Sequence, residues 1–271
     1  MTQQKVVLAV KELSKSYASQ GAERTVLDRV SFEVRAGEFV CIVGPSGSGK
    51  TTLLRCMAGL LEPSAGAVLL DGETVTEPPK KLAVVFQDYS RSLMPWMSVI
   101  DNVMLPLRGM ALDRAARRAR AIEALRGVGL DGFDQHYPWQ LSGGMQQRVA
   151  IARALAYQPD ALLMDEPFAS VDAQTRAELE DLILRVRDEF GVTVILVTHD
   201  IDEAVYLADQ VVVLTGSPTR VRERIVVPLP LPRDQIATKS LPQFAELRGR
   251  VLTLIHEAGA RKPPLRHIRR A

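Results

Sequence analysis

Apolar positions in this chain gather into short, strand-length runs separated by polar turns and by longer helical stretches. Residues 5–13 alternate enough to form a strand, and 31–34 continue a sheet after a Gly/Ser-containing loop. Apolar runs at 38–43, 67–70, 82–86, 161–164, 192–197 and 210–214 read as further strands. Residues 52–58, 113–128 and 172–190 read as helices. Asp113 caps the second, and the third places Leu179, Leu182, Ile183, Val186 and Phe190 on one stripe. The strand–helix alternation after residue 161 implies a largely parallel sheet. Residues 88–156 break the sheet pattern: 88–107 are rich in Met, Ser and Pro, and an Ala/Arg helix follows. That stretch reads as a helical insertion in a sheet-based domain. Beyond Gly216 the pattern weakens to a strand at 220–227, a proline-rich break at 228–232 and an amphipathic helix at 241–258. The basic, proline-containing residues 261–271 are expected to be a disordered tail. The expected division is a domain over 1–216 and an extension over 217–271.

Between the run at 38–43 and the helix at 52–58 lies Gly44-Pro45-Ser46-Gly47-Ser48-Gly49-Lys50-Thr51, followed by Thr52. This is a complete G-x-x-x-x-G-K-[ST] phosphate loop in its strand–loop–helix setting. Its glycines let the backbone curl so that successive N–H groups face one hollow. Those groups, with the positive end of the following helix, attract a polyphosphate. Lys50 reaches the β- and γ-phosphates, and the Thr51 hydroxyl is placed to ligate Mg²⁺. The fold class is therefore α/β: a phosphate-loop NTPase core with a largely parallel sheet, an N-terminal antiparallel β region and a helical insertion.

Composition narrows the partners. At 271 residues, 46% hydrophobic and 24% charged, with net charge +2, the chain is an ordinary globular one without a strong electrostatic bias. Arg114, Arg117, Arg118, Arg120 and Arg126 share one helix, but no aromatic residues interleave with them, so they read as a solvated face and not as a nucleic-acid surface. The two cysteines, Cys41 and Cys56, flank the phosphate loop without metal or disulfide spacing and read as buried apolar residues of a reducing compartment. The first ten residues lack a signal-peptide core, and no apolar run approaches the roughly 20 residues that span a bilayer. The expectation is a cytosolic chain whose membrane role, if any, comes through a partner.

Further residues carry chemistry. Asp165 and Glu166 close an apolar strand, so their carboxylates emerge at the sheet edge where the phosphate loop also emerges. Asp165 suits Mg²⁺, and Glu166 suits deprotonation of a water attacking the γ-phosphate. His199 follows the next strand and reaches the same edge. Leu141-Ser142-Gly143-Gly144-Met145-Gln146-Gln147-Arg148 opens a second helix, with Ser142 as cap and two glycines at a second backbone anion site. One chain thus carries two phosphate-binding helix starts, which a head-to-tail dimer would bring to one nucleotide.

Over residue 5 to about 216 the sequence resembles the nucleotide-binding subunits of ABC transporters, whose own signature is the LSGGMQQR run. The resemblance implies roles. Tyr17, where the first strand gives way to its loop, would stack on adenine. Gln87 would sense Mg²⁺ and the γ-phosphate. Ser142, Gly143, Gly144 and Gln146 would close over ATP held by the other subunit. Asp172 would lie in the loop that crosses the dimer, and His199 would be the switch histidine. That loop departs from the family: Ala169-Ser170-Val171-Asp172 stands where Ala-Leu-Asp is usual, which implies altered packing there. Phe86-Gln87-Asp88 with Leu93-Met94-Pro95-Trp96 is similar to the importers of nitrate, aliphatic sulfonates and taurine. Trp96 either anchors the insertion's core or contacts a membrane subunit. The implied assembly is a homodimer around two ATP, on two permease subunits at the cytoplasmic face of a bacterial inner membrane, served by an extracytoplasmic solute-binding protein. Nucleic acid is not an expected partner. Soluble ABC ATPases of repair or translation differ by a coiled-coil insertion or a second cassette. A sensing module without turnover would not need Glu166, Gln87 and His199.

Overall fold

Within the strand Phe39–Val43, successive residues face two different cores. Phe39, Cys41 and Val43 join one, while Val40 and Ile42 join the other. The same alternation splits Leu162 and Met164 from Ala161 and Leu163, and Val194 and Leu196 from Ile195 and Val197. A strand covered on both faces needs no polar positions, which is why these runs are apolar throughout. Burying one such side chain stabilises by about 1.5–3 kcal/mol. A slip of one residue would exchange the two cores, so the register is firmly set.

The computed structural model describes residues 5–19, 22–88 and 92–260; the expected basic tail at 261–271 lies outside them. In chain order the strands are β1 (Val6–Ser19), β2 (Ala22–Arg35), β3 (Phe39–Val43), β4 (Ala65–Leu70), β5 (Glu73–Thr74) and β6 (Leu82–Val85). There follow β7 (Ala161–Asp165), β8 (Thr193–Val197), β9 (Gln210–Leu214) and β10 (Val221–Val226). The helices are α1 (Lys50–Met57), α2 (Val99–Met104), α3 (Arg114–Gly127), α4 (Gly143–Ala156), α5 (Ala173–Phe190), α6 (Ile201–Leu207) and α7 (Pro242–Ala260).

One sheet runs β10-β9-β3-β8-β7-β6, parallel except for the antiparallel edge strand β10. The other, β2-β1-β4-β5, is antiparallel. The second core lies between the two sheets and includes Leu53, Leu54 and Met57 of α1. The first core lies between the parallel sheet and the other helices. Both cysteines are buried and free, and burial pushes the Cys56 thiol up to about 11. The α/β class, the parallel sheet, the antiparallel region and the helical insertion are all present.

Three local expectations change. The N-terminal strands are far longer than the apolar pattern suggested, because β1 and β2 form one hairpin. Its outer half, where Lys15 faces Leu27 and Ser16 faces Thr25, is partly solvated and broken by register shifts, so it shows no clean alternation. Tyr17 therefore sits inside a ladder opposite Arg24, not at a strand exit. Finally, residues after 216 continue the core sheet as β10, and α7 contributes Phe244, Leu247 and Val251 to the first core.

Candidate functional site

Parallel strands deliver their following loops to one edge, and three of those loops build the site. The phosphate loop leaves β3, Asp165 ends β7, and His199 follows β8. Between them lies a cavity of about 870 Å³. Ser46, Gly47, Ser48, Gly49, Lys50, Thr51 and Thr52 form its floor, Glu166 and His199 one wall, and Tyr17, Arg24 and Val26 the other. Helix α1 begins at Lys50, inside the motif, so its N-terminus points at the loop. Gly49 has φ 82°, and a Cβ there would come within 2.7 Å of the Val26 side chain. No other residue fits so close to β2.

Lys50 donates to the carbonyls of Gly44 and Pro45 at 3.0 and 3.2 Å, which holds its ammonium across the loop. Burial lowers its pKa, opposed by the charges of Glu166 and Asp165. Asp165 is 6% exposed; burial raises its pKa, while a hydrogen bond with Thr51 lowers it. Its Oδ1 is buried without a hydrogen-bond partner. An orphaned buried carboxylate oxygen beside a threonine hydroxyl is a donor set suited to a small hard cation.

Glu166 has a left-handed backbone, φ 44°, unusual for a residue with a side chain and worth about 1–3 kcal/mol of strain. Its N–H donates to the Val197 carbonyl at 2.8 Å, which ties that backbone to β8. On the side chain, Oε2 lies 3.0 Å from His199 Nδ1 and accepts from Gln87 Nε2 at 3.4 Å. The three residues expected to act on the γ-phosphate thus meet at one oxygen.

The second helix start lies elsewhere: Ser142, Gly143, Gly144, Gln146 and Asp172 do not line this cavity. Ser142 Oγ accepts from the Met145 N–H at 3.3 Å, and Gln146 donates to the carbonyls of Pro138 and Leu141 at 3.0 and 3.2 Å. Gly144 packs so tightly that a Cβ would lie 2.5 Å from Thr175 Cγ2. Asp172 caps α5, accepting from the Thr175 N–H at 3.0 Å and from its hydroxyl at 2.7 Å.

Sequence reasoning missed several contributors. Arg24 and Val26 enter the cavity only because the hairpin is long. Asn102, fully buried, accepts from the Met94 N–H at 2.7 Å and donates to the Ser98 carbonyl at 3.0 Å, which fixes the loop after Gln87. Arg153 on α4 donates to Ser92 O and Oγ at 2.6 and 2.7 Å. It therefore joins the helix behind Ser142 to that same loop. Leu93 is the loop's core anchor, whereas Trp96 is 72% exposed, so the core role weighed for Trp96 falls to Leu93. Trp139 is 70% exposed and stacks on Tyr137. The two aromatic segments adjoin, since the Val99 N–H donates to the His136 carbonyl at 2.7 Å.

Residues 27–169 match the family model described as ABC transporter. The taurine import ATP-binding protein TauB of Rhizobium johnstonii is 47% identical over 86% of this chain and 90% of its own length. An aliphatic sulfonates import ATP-binding protein, SsuB of Bacillus cereus, is 39% identical over 94% of this chain and 98% of its own. A solved dimeric ATP-binding cassette in a post-hydrolysis state with ADP and Pi superposes with TM-score 0.70 and 35% identity, covering 81% of this chain and 98% of that one.

Proposed function

Because this chain belongs to the ABC transporter family, as an ATP-binding cassette, we propose that it powers a bacterial importer by hydrolysing ATP between two copies of itself. One observation carries the reading. Phosphate loop, Lys50, Glu166 and His199 share a single cavity, with Asp165 hydrogen-bonded to Thr51 on its floor and Gln87 to Glu166 on its wall. In it, the loop amides and Lys50 take the polyphosphate, and Tyr17 takes the adenine. Glu166 receives the proton of the attacking water, oriented by His199 and Gln87 on its Oε2.

The donor set at Asp165 and Thr51 fits Mg²⁺, with Gln87 as a further oxygen ligand. When bound, the ion would neutralise phosphate charge. Ser142, Gly143, Gly144, Gln146 and Asp172 would serve the nucleotide of the partner copy, which the dimeric likeness supports. Among the described residues no helix is long and apolar enough to cross a membrane, so the transport path would belong to two permease subunits. The exposed Trp96 and Trp139, with half-buried Met94, form an apolar patch on the insertion suited to one of them. The complex would work at the cytoplasmic face of the inner membrane with an extracytoplasmic solute-binding protein. Relatives are named for taurine, aliphatic sulfonates, nitrate and bicarbonate, which supports a small oxoanion or sulfonate as solute.

Glu166→Gln tests the catalytic core. ATP binding should persist while hydrolysis falls about 10²–10⁴-fold, the usual share of general-base assistance. Wild-type turnover in this variant would remove Glu166 from the mechanism.

A further inference from the structure

Thr219 sits in the connection between β9 and β10, on the far side of the sequence from the phosphate loop and outside the walls of the nucleotide cavity. It is fully buried. Its N–H donates to the Val26 carbonyl at 2.8 Å, and its carbonyl accepts from the Asp28 N–H at 2.9 Å. These two bonds make Thr219 a parallel bridge to Leu27 on β2 and fix its backbone. The hydroxyl then donates to the carbonyl of Ser48, within the phosphate loop. Arg220 reinforces the anchorage by donating from Nε to Asp28 at 2.9 Å.

A trans peptide is planar, so its C=O and N–H point in opposite directions. Whatever fixes the Ser48 carbonyl therefore also fixes the Gly49 N–H. Thr219 draws that carbonyl away from the cavity, whose floor Ser48 and Gly49 help to form. The Gly49 N–H is thereby turned toward the cavity. A carbonyl that accepts a hydrogen bond also polarises its amide, which strengthens the N–H as a donor. Gly49, with φ 82° and no side chain, has the backbone freedom to lose this orientation if the peg is removed.

We propose that Thr219 is a positioning residue for nucleotide phosphate: by holding the Ser48 carbonyl it aims the Gly49 amide at the bound polyphosphate. This assigns the segment after Gly216 a part in nucleotide affinity. It rests on the reading of the loop as the phosphate site.

The test measures binding of ATP and of inorganic tripolyphosphate to the full chain by competition against a fluorescent ATP analogue. Thr219→Val keeps the shape and removes the hydroxyl. It should weaken both ligands by the same factor, about 3–10-fold, the worth of one well-placed hydrogen bond. Thr219→Ser should restore both. Thr219→Ala repeats the measurement without a methyl group facing the Ser48 carbonyl and should show the same parallel loss. If Val and Ala bind tripolyphosphate as tightly as wild type while only their melting temperature falls, Thr219 is a structural peg and the proposal fails. It fails too if ATP alone is weakened, since the effect would then run through Val26 and the adenine wall. It fails again if Ser binds as poorly as Val. Loss of tripolyphosphate and ATP binding in the wild type would instead strike the phosphate-site reading itself.

Discussion

The chain has two glycine-rich helix starts, and they differ in what the fold gives them to face. At the start of α1, Lys50 and Thr51 look into a cavity whose other walls bring Glu166, His199 and Tyr17. At the start of α4, Ser142 and Gln146 are engaged with their own backbone, and Gly144 is pressed against Thr175. The first start holds nearly everything an ATP hydrolysis site needs. The second has an anion-binding backbone, but its residues do not line that cavity. On the proposed function, such a half-site gains its chemistry from another copy of the chain. The contrast teaches that motif content and site completeness are separate properties, and that the second has to be read from packing.

Gly144→Ala breaks the comparison most sharply. The new Cβ would lie 2.5 Å from Thr175 Cγ2, so the start of α4 and the Thr175 side chain must shift apart. Losing one preorganised donor typically costs about 10²–10³-fold in rate. Hydrolysis should fall on that order, while ATP affinity of the single chain, measured with the same fluorescent analogue, stays at the wild-type value. A matching loss of affinity would mean that the second start serves its own chain's nucleotide.

Tyr17→Ala probes the complete half. Base stacking on an aromatic ring contributes about 1–3 kcal/mol, so ATP should bind about 5–150-fold more weakly. Tripolyphosphate affinity should not change. Equal loss for both ligands would rule out adenine stacking.

The smallest effect comes from Asp165. Burial raises its pKa above the ordinary carboxylate value, so the folded chain holds a proton there more tightly than the unfolded chain does. Without nucleotide or Mg²⁺, this group's contribution to stability therefore rises as pH falls through that raised value. Asp165→Asn removes the charge. It should raise the apo melting temperature near neutral pH and flatten this part of the pH profile. An unchanged profile would show that the carboxylate is better compensated than its orphaned Oδ1 implies.

What could be read from sequence follows the range of the interaction. The phosphate loop, the Asp165-Glu166 pair at a strand end and the caps Asp113 and Ser142 are local patterns, and each sits where its spacing placed it. The length of the β1–β2 hairpin was hidden because its outer half is solvated and irregular, and Arg24 was hidden with it. Thr219 and Ser48 are 171 positions apart, and Arg153 and Ser92 are 61 apart. No periodicity or motif joins such residues; only the packed sheet does. Asn102 was missed for another reason: a buried asparagine in a Met- and Pro-rich stretch looks like any loop residue until its amide is seen holding Met94 and Ser98.

The central claim is that the second helix start is completed by another copy of the chain. Its most direct test is the molar mass of Glu166→Gln in saturating ATP and Mg²⁺, by size-exclusion chromatography with light scattering. Blocking hydrolysis retains the nucleotide, so the account predicts twice the monomer mass with ATP and the monomer mass without it. Adding Gly144→Ala to Glu166→Gln should return the protein to monomer with ATP still bound. A Glu166→Gln chain that stays entirely monomeric while saturated with ATP would contradict the account.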